Sequence, residues 1–314
     1  MSTALINAVT QCYPDALIDV IVKKELAAIC TLIPGLRDTF PFSKQEYKGL
    51  TGAYRFGKTL KASKYDLFFN LPSSLSSAVV AWATGAKKRV GFNAEGNFFL
   101  LTNHYKKPKN AHRVDEYISL IEQYLGTVIS ERKVDLNVNR DVGNINNQVL
   151  INFNSEASSR RMPVEKAKSI LNTLTAHFKN IRFTFIGSVK ESSFIKEIID
   201  TADNKDRILN LSGKTDLVGL SRLLAESTVV LTTDSGPAHM ANAIGVPVIA
   251  LFGAGNEFNT APYNKQNLNV LRYGKLDCEP CLKNTCELYG VPKCMELLDE
   301  LQIINALSVY LPHV

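Results

Sequence analysis

Residues 228–253 read TVVLTTDSGPAHMANAIGVPVIALFG, and this stretch decides the fold. An apolar run at 228–234 is followed by a helical pattern at 237–245 and by a second apolar run at 247–253. Short apolar runs without alternating polar residues are typical of strands whose two faces are both covered by helices. Gly245 follows the last periodic residue and indicates the end of the helix. The stretch therefore predicts a strand–helix–strand unit with parallel strands.

The same alternation continues along the rest of the chain. In the second half, predicted strands occupy 149–154, 181–187 and 207–213, and predicted helices occupy 163–178, 190–202 and 216–227. In the first half the signals are weaker, with strands at 16–22, 65–71 and 88–92 and helices at 2–12, 73–85 and 112–126. Regular β–α alternation predicts an α/β fold with doubly wound parallel sheets.

The length of 314 residues predicts two domains, at roughly 150 residues per domain. The boundary is expected in VDLNVNRDVGNINNQ (134–148), which is rich in asparagine and has little helical character. We therefore expect a first domain at 1–133, a linker at 134–148 and a second domain at 149–296. A leucine-rich pattern predicts a final helix at 297–314.

The composition excludes several classes of protein. Hydrophobic residues make up 45% and charged residues 21%, which is ordinary for a globular chain and excludes a disordered or fibrous one. No apolar run reaches the ~18 residues of a membrane-spanning helix. The first residues do not resemble a secretory signal, and six cysteines are too few for a disulfide-built scaffold. We expect a cytoplasmic protein.

The net charge of +6 is distributed unevenly. Residues 1–130 contain 16 Lys and Arg against 10 Asp and Glu, whereas residues 131–314 contain 20 of each kind. The surplus indicates either a solvated lysine surface or an anionic partner such as a phosphorylated lipid or a membrane surface. No nucleic-acid-binding signature accompanies it, so we expect no nucleic acid as a partner.

The turn after the strand at 228–234 is the strongest candidate site. Thr233 ends the strand, and Asp234, Ser235 and Gly236 form a tight turn before Pro237 opens the helix. Ser235 is expected to cap the helix, Gly236 allows close approach of a ligand, and Pro237 lacks an N–H where none is needed. Free N–H groups of the first helical turn then bind an anion at the sheet edge where α/β proteins bind ligands.

Asp234 and His239 stand at the rim of this turn. The alternative is a plain strand–turn–helix junction in which Asp234 is only a helix cap. Arg160 and Arg161 form a second anion-binding feature, because guanidinium groups match phosphate oxygens. They also follow a predicted strand of the same sheet, so they are expected at the same edge. The alternative here is a pair of solvated loop arginines.

Four cysteines are clustered near the carboxyl terminus. Cys278, Cys281, Cys286 and Cys294 have the spacing C-x2-C-x4-C-x7-C. This spacing is compact enough for a structural zinc or iron–sulfur site, and free or redox-active thiols are the alternative. Cys12 and Cys30 lie on apolar patterns and are expected to be buried thiols.

The segment TDSGPAHMANAIGVPVIALFG (233–253) resembles the signature of glycosyltransferase family nine, the ADP-heptose:lipopolysaccharide heptosyltransferases. In the second half the resemblance extends to RRMP (160–163), FIGSVKE (185–191), NLSGKTDLVGLSRLLAESTVVLTTDSG (210–236) and CEPCLKNTCELYGVPKCM (278–295). In the first half it is carried by YPDALIDVIV (13–22), YDLFFNLPSSLSSA (65–78) and HRVDEYISLIE (112–122).

The resemblance implies the GT-B arrangement, in which two Rossmann-like domains face each other. It implies that the second domain binds ADP-heptose and that the first binds the anionic inner core of lipopolysaccharide, at the inner face of the cytoplasmic membrane. It further implies transfer of heptose with inversion and without a required metal or other cofactor. The positive surplus of the first half agrees with such an acceptor.

The resemblance also assigns residues. Arg160 takes the place of a diphosphate-binding lysine, Asp234 matches a sugar-contacting aspartate, and Glu191 matches a glutamate that contacts the ribose. Local chemistry and the resemblance together predict the following residues for nucleotide-sugar binding: Arg160, Arg161, Gly187, Glu191, Thr233, Asp234, Ser235, Gly236, Pro237 and His239.

One departure from the family concerns catalysis. Family members begin with a strand and a Gly-Asp loop whose aspartate is the general base, whereas residues 1–9 (MSTALINAV) already match the helix after that loop. We therefore expect the first domain to lack this strand, and no catalytic base is assigned; Asp66 and Asp115 are unsupported substitutes. Two alternatives follow: a non-catalytic nucleotide-sugar-binding protein, or a glycosyltransferase with another donor or acceptor.

Overall fold

The computed structural model describes residues 1–94, 96–141, 143 and 145–311. The chain divides into two compact units, Met1–Lys133 and Val134–Val314. Positions 142 and 144 of the predicted linker and positions 312–314 of the predicted final helix lie outside the described residues. Both units are built from helices and parallel strands, as the alternating pattern predicts. Within the described residues, no helix has the length and apolar character needed to span a bilayer.

The first unit contains four helices and five strands among its described residues. The helices are α1 (Thr3–Cys12), α2 (Gly49–Thr59), α3 (Leu75–Ala83) and α4 (Arg113–Leu125). The strands are β1 (Ile18–Lys23), β2 (Leu36–Phe42), β3 (Leu67–Asn70), β4 (Lys88–Phe92) and β5 (Asn103–Tyr105). The sequence did not predict β2 or β5.

The strands of this unit form two separate parallel sheets. One sheet pairs β1 with β2, and the other has the order β3-β4-β5. A hydrogen bond of 2.6 Å from the Tyr65 hydroxyl to Asp19 joins the two sets of strands. No strand among the described residues pairs with both β1 and β3.

The second unit contains a single six-stranded parallel sheet. Its strands are β6 (Asn146–Asn152), β7 (Arg182–Phe185), β8 (Ile208–Asn210), β9 (Ser227–Thr233), β10 (Val248–Phe252) and β11 (Leu268–Arg272), and their order is β11-β10-β9-β6-β7-β8. Its helices are α5 (Val164–His177), α6 (Ser192–Asp200), α7 (Leu217–Ala225), α8 (Gly236–Ile244), α9 (Glu257–Thr260), α10 (Lys293–Glu296) and α11 (Glu300–Ser308). The predicted helix at 297–314 is thus shorter, and β11 was not predicted.

Burial explains why the second unit gave the clearer sequence pattern. Every residue of β10 is buried, and so is every residue of β9 except Thr228. The core between the sheet and its helices is filled by aromatic and aliphatic side chains, among them Phe153 and Phe185, whose rings meet edge to face. Helices cover both faces of this sheet, so its strands read as continuous apolar runs.

The predicted linker is packed rather than free. Val134 is buried, and its carbonyl accepts a hydrogen bond from the Asn264 side chain. The Arg140 guanidinium donates to the carbonyls of Ala225 and Ser227. The last residues of the predicted linker already belong to β6. The segment therefore forms part of the second unit.

Candidate functional site

The site lies at the carboxyl ends of β6 and β9, which are neighbours in the middle of the six-stranded sheet. After β6 the chain continues to β7 on one side of the pair, and after β9 it continues to β10 on the other side. The loops that follow β6 and β9 therefore part at this point and leave a crevice, which is where open α/β sheets bind their ligands. The sequence prediction that the loops after these two strands share one edge is confirmed.

Ser235 does not cap α8 as predicted. It occupies the N-cap position, but its side chain makes no capping hydrogen bond. Its hydroxyl accepts a hydrogen bond of 2.8 Å from Asn152 and donates one of 3.0 Å to the Thr233 carbonyl. Because the side chain turns toward the strands, it leaves the N–H groups of the first turn of α8 to other acceptors. These groups carry the partial positive charge of the helix N-terminus.

A buried network of polar side chains at the ends of the strands holds this turn in place. The Asn152 amide also donates to the Thr232 hydroxyl at 3.2 Å, and the Thr233 hydroxyl donates to the Asn154 carbonyl at 2.5 Å. Asn154 donates in turn to the Ile186 carbonyl at 3.0 Å. Hydrogen-bonded buried networks of this kind hold their side chains in one arrangement, although Asn154 Oδ1 is buried here without a hydrogen-bond partner. The loops after β6, β7 and β9 are thereby tied together.

Asp234 and Arg160 form the charged centre of the site. Arg160 Nη1 donates to Asp234 Oδ2 at 3.1 Å, and the Asp234 side chain is only 6% exposed whereas that of Arg160 is 34% exposed. Burial raises the pKa of the Asp234 carboxyl above its usual value, and the charges of Arg160 and Arg272 oppose that rise. Asp234 is therefore an ion-paired carboxylate and not a simple helix cap.

Arg161 points elsewhere. Its Nη2 donates to the Ser155 carbonyl at 3.0 Å, and its guanidinium lies 5.9 Å from the centre of the Phe194 ring. Its Nε is buried without a hydrogen-bond partner. The two adjacent arginines thus have different roles: Arg160 meets the carboxylate at the sheet edge, and Arg161 braces its own loop.

Gly187 and Glu191 lie together at the end of β7. A Cβ added to Gly187 would come within 2.8 Å of Asn154 Nδ2, so no side chain fits there. Glu191 Oε2 accepts a hydrogen bond of 2.7 Å from the Ser188 N–H, and the Ser188 side chain accepts from the Glu191 N–H to complete a capping box. Glu191 is therefore a helix-capping residue here, and contact with a ribose stays a prediction.

The remaining predicted residues lie on α8. A Cβ added to Gly236 would meet no atom within 4 Å, so the space in front of the helix is open. Pro237 lies in the first turn, and His239 is half-buried in the same turn. Thr233, which ends β9, is fully buried, and its hydroxyl is engaged with the Asn154 carbonyl.

The sequence did not predict two further residues of the site, Gly255 and Arg272. A Cβ added to Gly255 would come within 2.5 Å of Asp234 Oδ2, so the backbone after β10 presses directly on that carboxylate. Arg272, at the end of β11, donates to the carbonyls of Gly253 and Gly255 and binds Glu257. One sequence signal could have predicted Arg272. It ends the apolar run LNVLR (268–272), which is the next strand after a glycine-rich loop.

The four clustered cysteines line one cavity together with Ser159 and Glu279. All four are free thiols, and burial, followed by the charge of Glu279, raises the pKa of Cys294 to about 11. Among the described residues, however, no three His, Cys, Asp or Glu side chains form a group that could hold a metal ion. The expected zinc or iron–sulfur site at Cys278, Cys281, Cys286 and Cys294 is therefore not supported, because shared lining of a cavity does not bring thiols to one coordination centre.

The other two cysteines differ from each other. Cys30 is buried as predicted, and burial raises the pKa of its thiol. Cys12 is only half-buried at the end of α1. The suggested substitute bases have ordinary partners, since Asp66 pairs with Lys87 and Asp115 pairs with Arg132.

Curated proteins similar to this chain carry heptosyltransferase names. The chain is 27% identical to the lipopolysaccharide core heptosyltransferase OpsX of Haemophilus influenzae, with 96% of this chain and 89% of that protein covered. It is 23% identical to lipopolysaccharide heptosyltransferase 3 of Escherichia coli, with 87% of this chain and 83% of that protein covered.

Solved structures share the fold. The chain superposes on the E. coli ADP-heptose lps heptosyltransferase II with a TM-score of 0.81 at 21% identity, covering 98% of this chain and 93% of that chain. It superposes on a glycosyl transferase family 9 protein from Veillonella parvula with a TM-score of 0.84 at 19% identity, covering 98% and 92% of the two chains. The fold is thus that of GT-B-like heptosyltransferases, as expected.

The sequence profile described as glycosyltransferase family 9 (heptosyltransferase) matches residues 53–291, which is most of the chain and includes the whole of the Asp234 site. The chain belongs to glycosyltransferase family 9.

Proposed function

We propose that this protein transfers heptose from ADP-heptose to the inner core of lipopolysaccharide, with inversion at the anomeric carbon and without a metal ion. The observation that carries the proposal is the Arg160–Asp234 pair beside the open first turn of α8. The pair lies in the crevice at the carboxyl edge of the six-stranded sheet, where a nucleotide-sugar would bind. The names of the similar proteins OpsX and heptosyltransferase 3 support heptose and lipopolysaccharide as the substrates.

The geometry separates two tasks. The N–H groups of the first turn of α8 and the Arg160 guanidinium supply positive charge for a diphosphate. The buried Asp234 carboxylate supplies a hydrogen-bond acceptor for sugar hydroxyls, and the backbone of Gly255 holds it in place. Gly236 leaves room for the ligand at the helix mouth. We further propose that Glu191 meets the ribose and that Thr233, Pro237 and His239 line the diphosphate end.

The reaction then follows from charge. An acceptor hydroxyl oxygen attacks the anomeric carbon, the bond from that carbon to the diphosphate oxygen breaks, and ADP leaves with the electron pair. Negative charge grows on the departing diphosphate, and Arg160 with the N-terminus of α8 stabilises it without a metal. The proton of the acceptor hydroxyl passes to a general base, and no residue of the second unit is assigned to this role.

For the acceptor, we propose the phosphorylated inner core of lipopolysaccharide, bound by the first unit. The surplus of basic residues in 1–130 supports an anionic partner there. The same surplus supports a peripheral contact with the cytoplasmic side of the inner membrane.

Turnover of purified protein with ADP-heptose and a heptose-deficient lipopolysaccharide core, followed by mass spectrometry, tests the proposal. The expected product is the core plus one heptose, together with ADP. Binding of ADP-heptose without any turnover would instead favour a nucleotide-sugar-binding protein. Transfer from a different nucleotide-sugar, or to a peptide or another glycan, would favour a glycosyltransferase with other substrates.

A further inference from the structure

Two neighbouring helices of the first unit present apolar side chains to solvent. On α2, Leu50 and Tyr54 are four residues apart and both are exposed. On α3, Trp82 is 49% exposed, and its ring lies 5.6 Å from that of Tyr54. Residues four apart on a helix share one face, so these side chains form a continuous strip across α2 and α3. Contiguous exposed apolar patches mark interaction surfaces, whereas single exposed apolar residues are ordinary.

A further element that contacts α3 also carries exposed aromatic side chains. The 3₁₀ helix Phe98–Leu100 contacts α3, and its Phe98 and Phe99 are both exposed, Phe99 to 66%. Their rings pack on each other edge to face at 5.9 Å. We call Leu50, Tyr54, Trp82, Phe98 and Phe99 the aromatic face.

The aromatic face lies in the most basic part of the chain. Residues 47–99, which span the aromatic face, contain eight lysines and arginines and two acidic residues, Asp66 and Glu95, and Asp66 is paired with Lys87. Seven of the eight basic side chains are exposed: Lys48, Arg55, Lys58, Lys61, Lys64, Lys87 and Lys88. Lys58 Nζ lies 5.7 Å from the centre of the Tyr54 ring. The positive surplus of the chain is therefore concentrated on the elements that carry the exposed aromatic rings.

This combination fits one kind of partner. Tryptophan and tyrosine favour the headgroup level of a bilayer, where one part of the ring is in apolar surroundings and the other is wet. Lysines beside them keep their charge among anionic headgroups while their alkyl stems lie along apolar surface. A second copy of this chain fits poorly, because pairing two such faces would bring like charges together.

We infer that the aromatic face and its surrounding lysines form a docking surface for an anionic lipid bilayer. The inference rests on the membrane contact of the proposed function and deepens it, since it names the surface that makes this contact.

The sequence contains one tryptophan, Trp82, and it lies in the aromatic face. Its fluorescence therefore reports directly on this surface. On addition of vesicles of phosphatidylglycerol and phosphatidylethanolamine, the emission is expected to shift to shorter wavelength, and the protein is expected to sediment with the vesicles. Phosphatidylcholine vesicles should produce neither effect, and salt should weaken the binding because it screens the lysines.

A double variant, Phe98→Ser with Phe99→Ser, removes two exposed rings without touching the core. Its partition onto anionic vesicles is expected to fall roughly tenfold or more, since each ring loses its apolar contact with lipid. Val128→Ser is the matched control, because Val128 is an exposed apolar residue of the same unit outside the aromatic face, and it should partition like the parent.

Equal partition of the double variant and of Val128→Ser would overturn the inference. So would an emission shift produced by a single-stranded oligonucleotide but not by anionic vesicles, which would assign the surface to nucleic acid. No donor or acceptor sugar enters this experiment, so its failure is distinct from failure of the proposed transfer reaction.

Discussion

Burial and neighbouring positive charges shift the pKa of the Asp234 carboxyl in opposite directions. Burial raises its pKa above 3.8, and the charges of Arg160 and Arg272 lower it again without cancelling the rise. Because the folded-state pKa is raised, ionisation of Asp234 costs folding stability at neutral pH, and this cost disappears as the pH falls. A charge kept at such a cost is typical of a site that binds a ligand.

The pH dependence of transfer follows from this balance. Protonated Asp234 is a poorer acceptor for sugar hydroxyls, so kcat/KM should rise with pH through the pKa of Asp234, which lies above the ordinary carboxyl value. In Arg160→Met, the rise of kcat/KM should occur at a still higher pH, because this variant lacks a cation that lowers the pKa of Asp234. A rise at unchanged or lower pH in this variant would contradict the assignment.

The adjacent arginines provide a matched pair of variants. Arg160→Ala should raise the KM for the donor by roughly tenfold or more, because Arg160 faces the proposed diphosphate site. Arg161→Ala should mainly lower thermal stability, because Arg161 braces its own loop through the Ser155 carbonyl and Phe194. Steady-state kinetics with thermal unfolding separates the two. A larger kinetic effect in Arg161→Ala would mean that the roles are reversed.

At the scale of elements, the loop after β10 is what keeps Asp234 in position. Gly255→Ala would place a methyl group 2.5 Å from Asp234 Oδ2, so the carboxylate or the loop must move. We expect turnover to fall by about tenfold or more and the protein to be less stable. Gly236→Ala should behave differently, because its methyl group meets no protein atom within 4 Å. There we expect unchanged stability and weaker donor binding, since the ligand occupies that space; equal loss of stability in both variants would contradict this.

Arg272 holds the same loop from the other side. Arg272→Met leaves the Gly253 and Gly255 carbonyls without their donor, so the KM for the donor should rise along with a loss of stability. Arg207→Met is the control, because Arg207 also bridges two carbonyls, those of Phe178 and Thr175, beside the edge strand β8. The control should lose stability alone. An equal effect of both variants on KM would show that Arg272 has no special part in the site.

The strands show where sequence patterns are sufficient and where they fail. Strands β9 and β10 are covered on both faces, and their continuous apolar runs predicted them. Strand β11 is half-buried throughout, and β2 contains a proline and the exposed charged residues Arg37 and Asp38, so neither gives a clean apolar run. Edge strands have less apolar area to bury, and their sequence signal is correspondingly weak.

At the scale of the whole molecule, the sequence predicted that Arg160 and Asp234 share one sheet edge but gave no information on their contacts. Arg160 and Asp234 could be placed at one sheet edge because parallel strands end together. The contact between Gly255 and Asp234, and the turning of Ser235 toward Asn152, depend on side chains far apart in sequence. The spacing of the four cysteines gave no information on where their thiols point, and the metal prediction failed for that reason.

The proposed mechanism requires no metal ion. Arg160 and the N-terminus of α8 supply the positive charge that a divalent cation would otherwise bring to the diphosphate. Treatment with EDTA followed by dialysis should therefore leave kcat and the unfolding temperature unchanged. Loss of turnover that added Mg²⁺ restores would contradict the proposed mechanism, and loss of thermal stability that added Zn²⁺ restores would return a metal to the cysteine cavity.

Calorimetric titration of the full chain with ADP-heptose tests the central claim most directly. The parent should bind the nucleotide-sugar, and Asp234→Ala should bind it at least ~10-fold more weakly, a difference of about 1.4 kcal/mol. Asp216→Ala, which removes only the N-cap of α7, should retain the parent affinity. Equal affinity of the parent and Asp234→Ala for ADP-heptose would contradict the assignment of this crevice as the donor site.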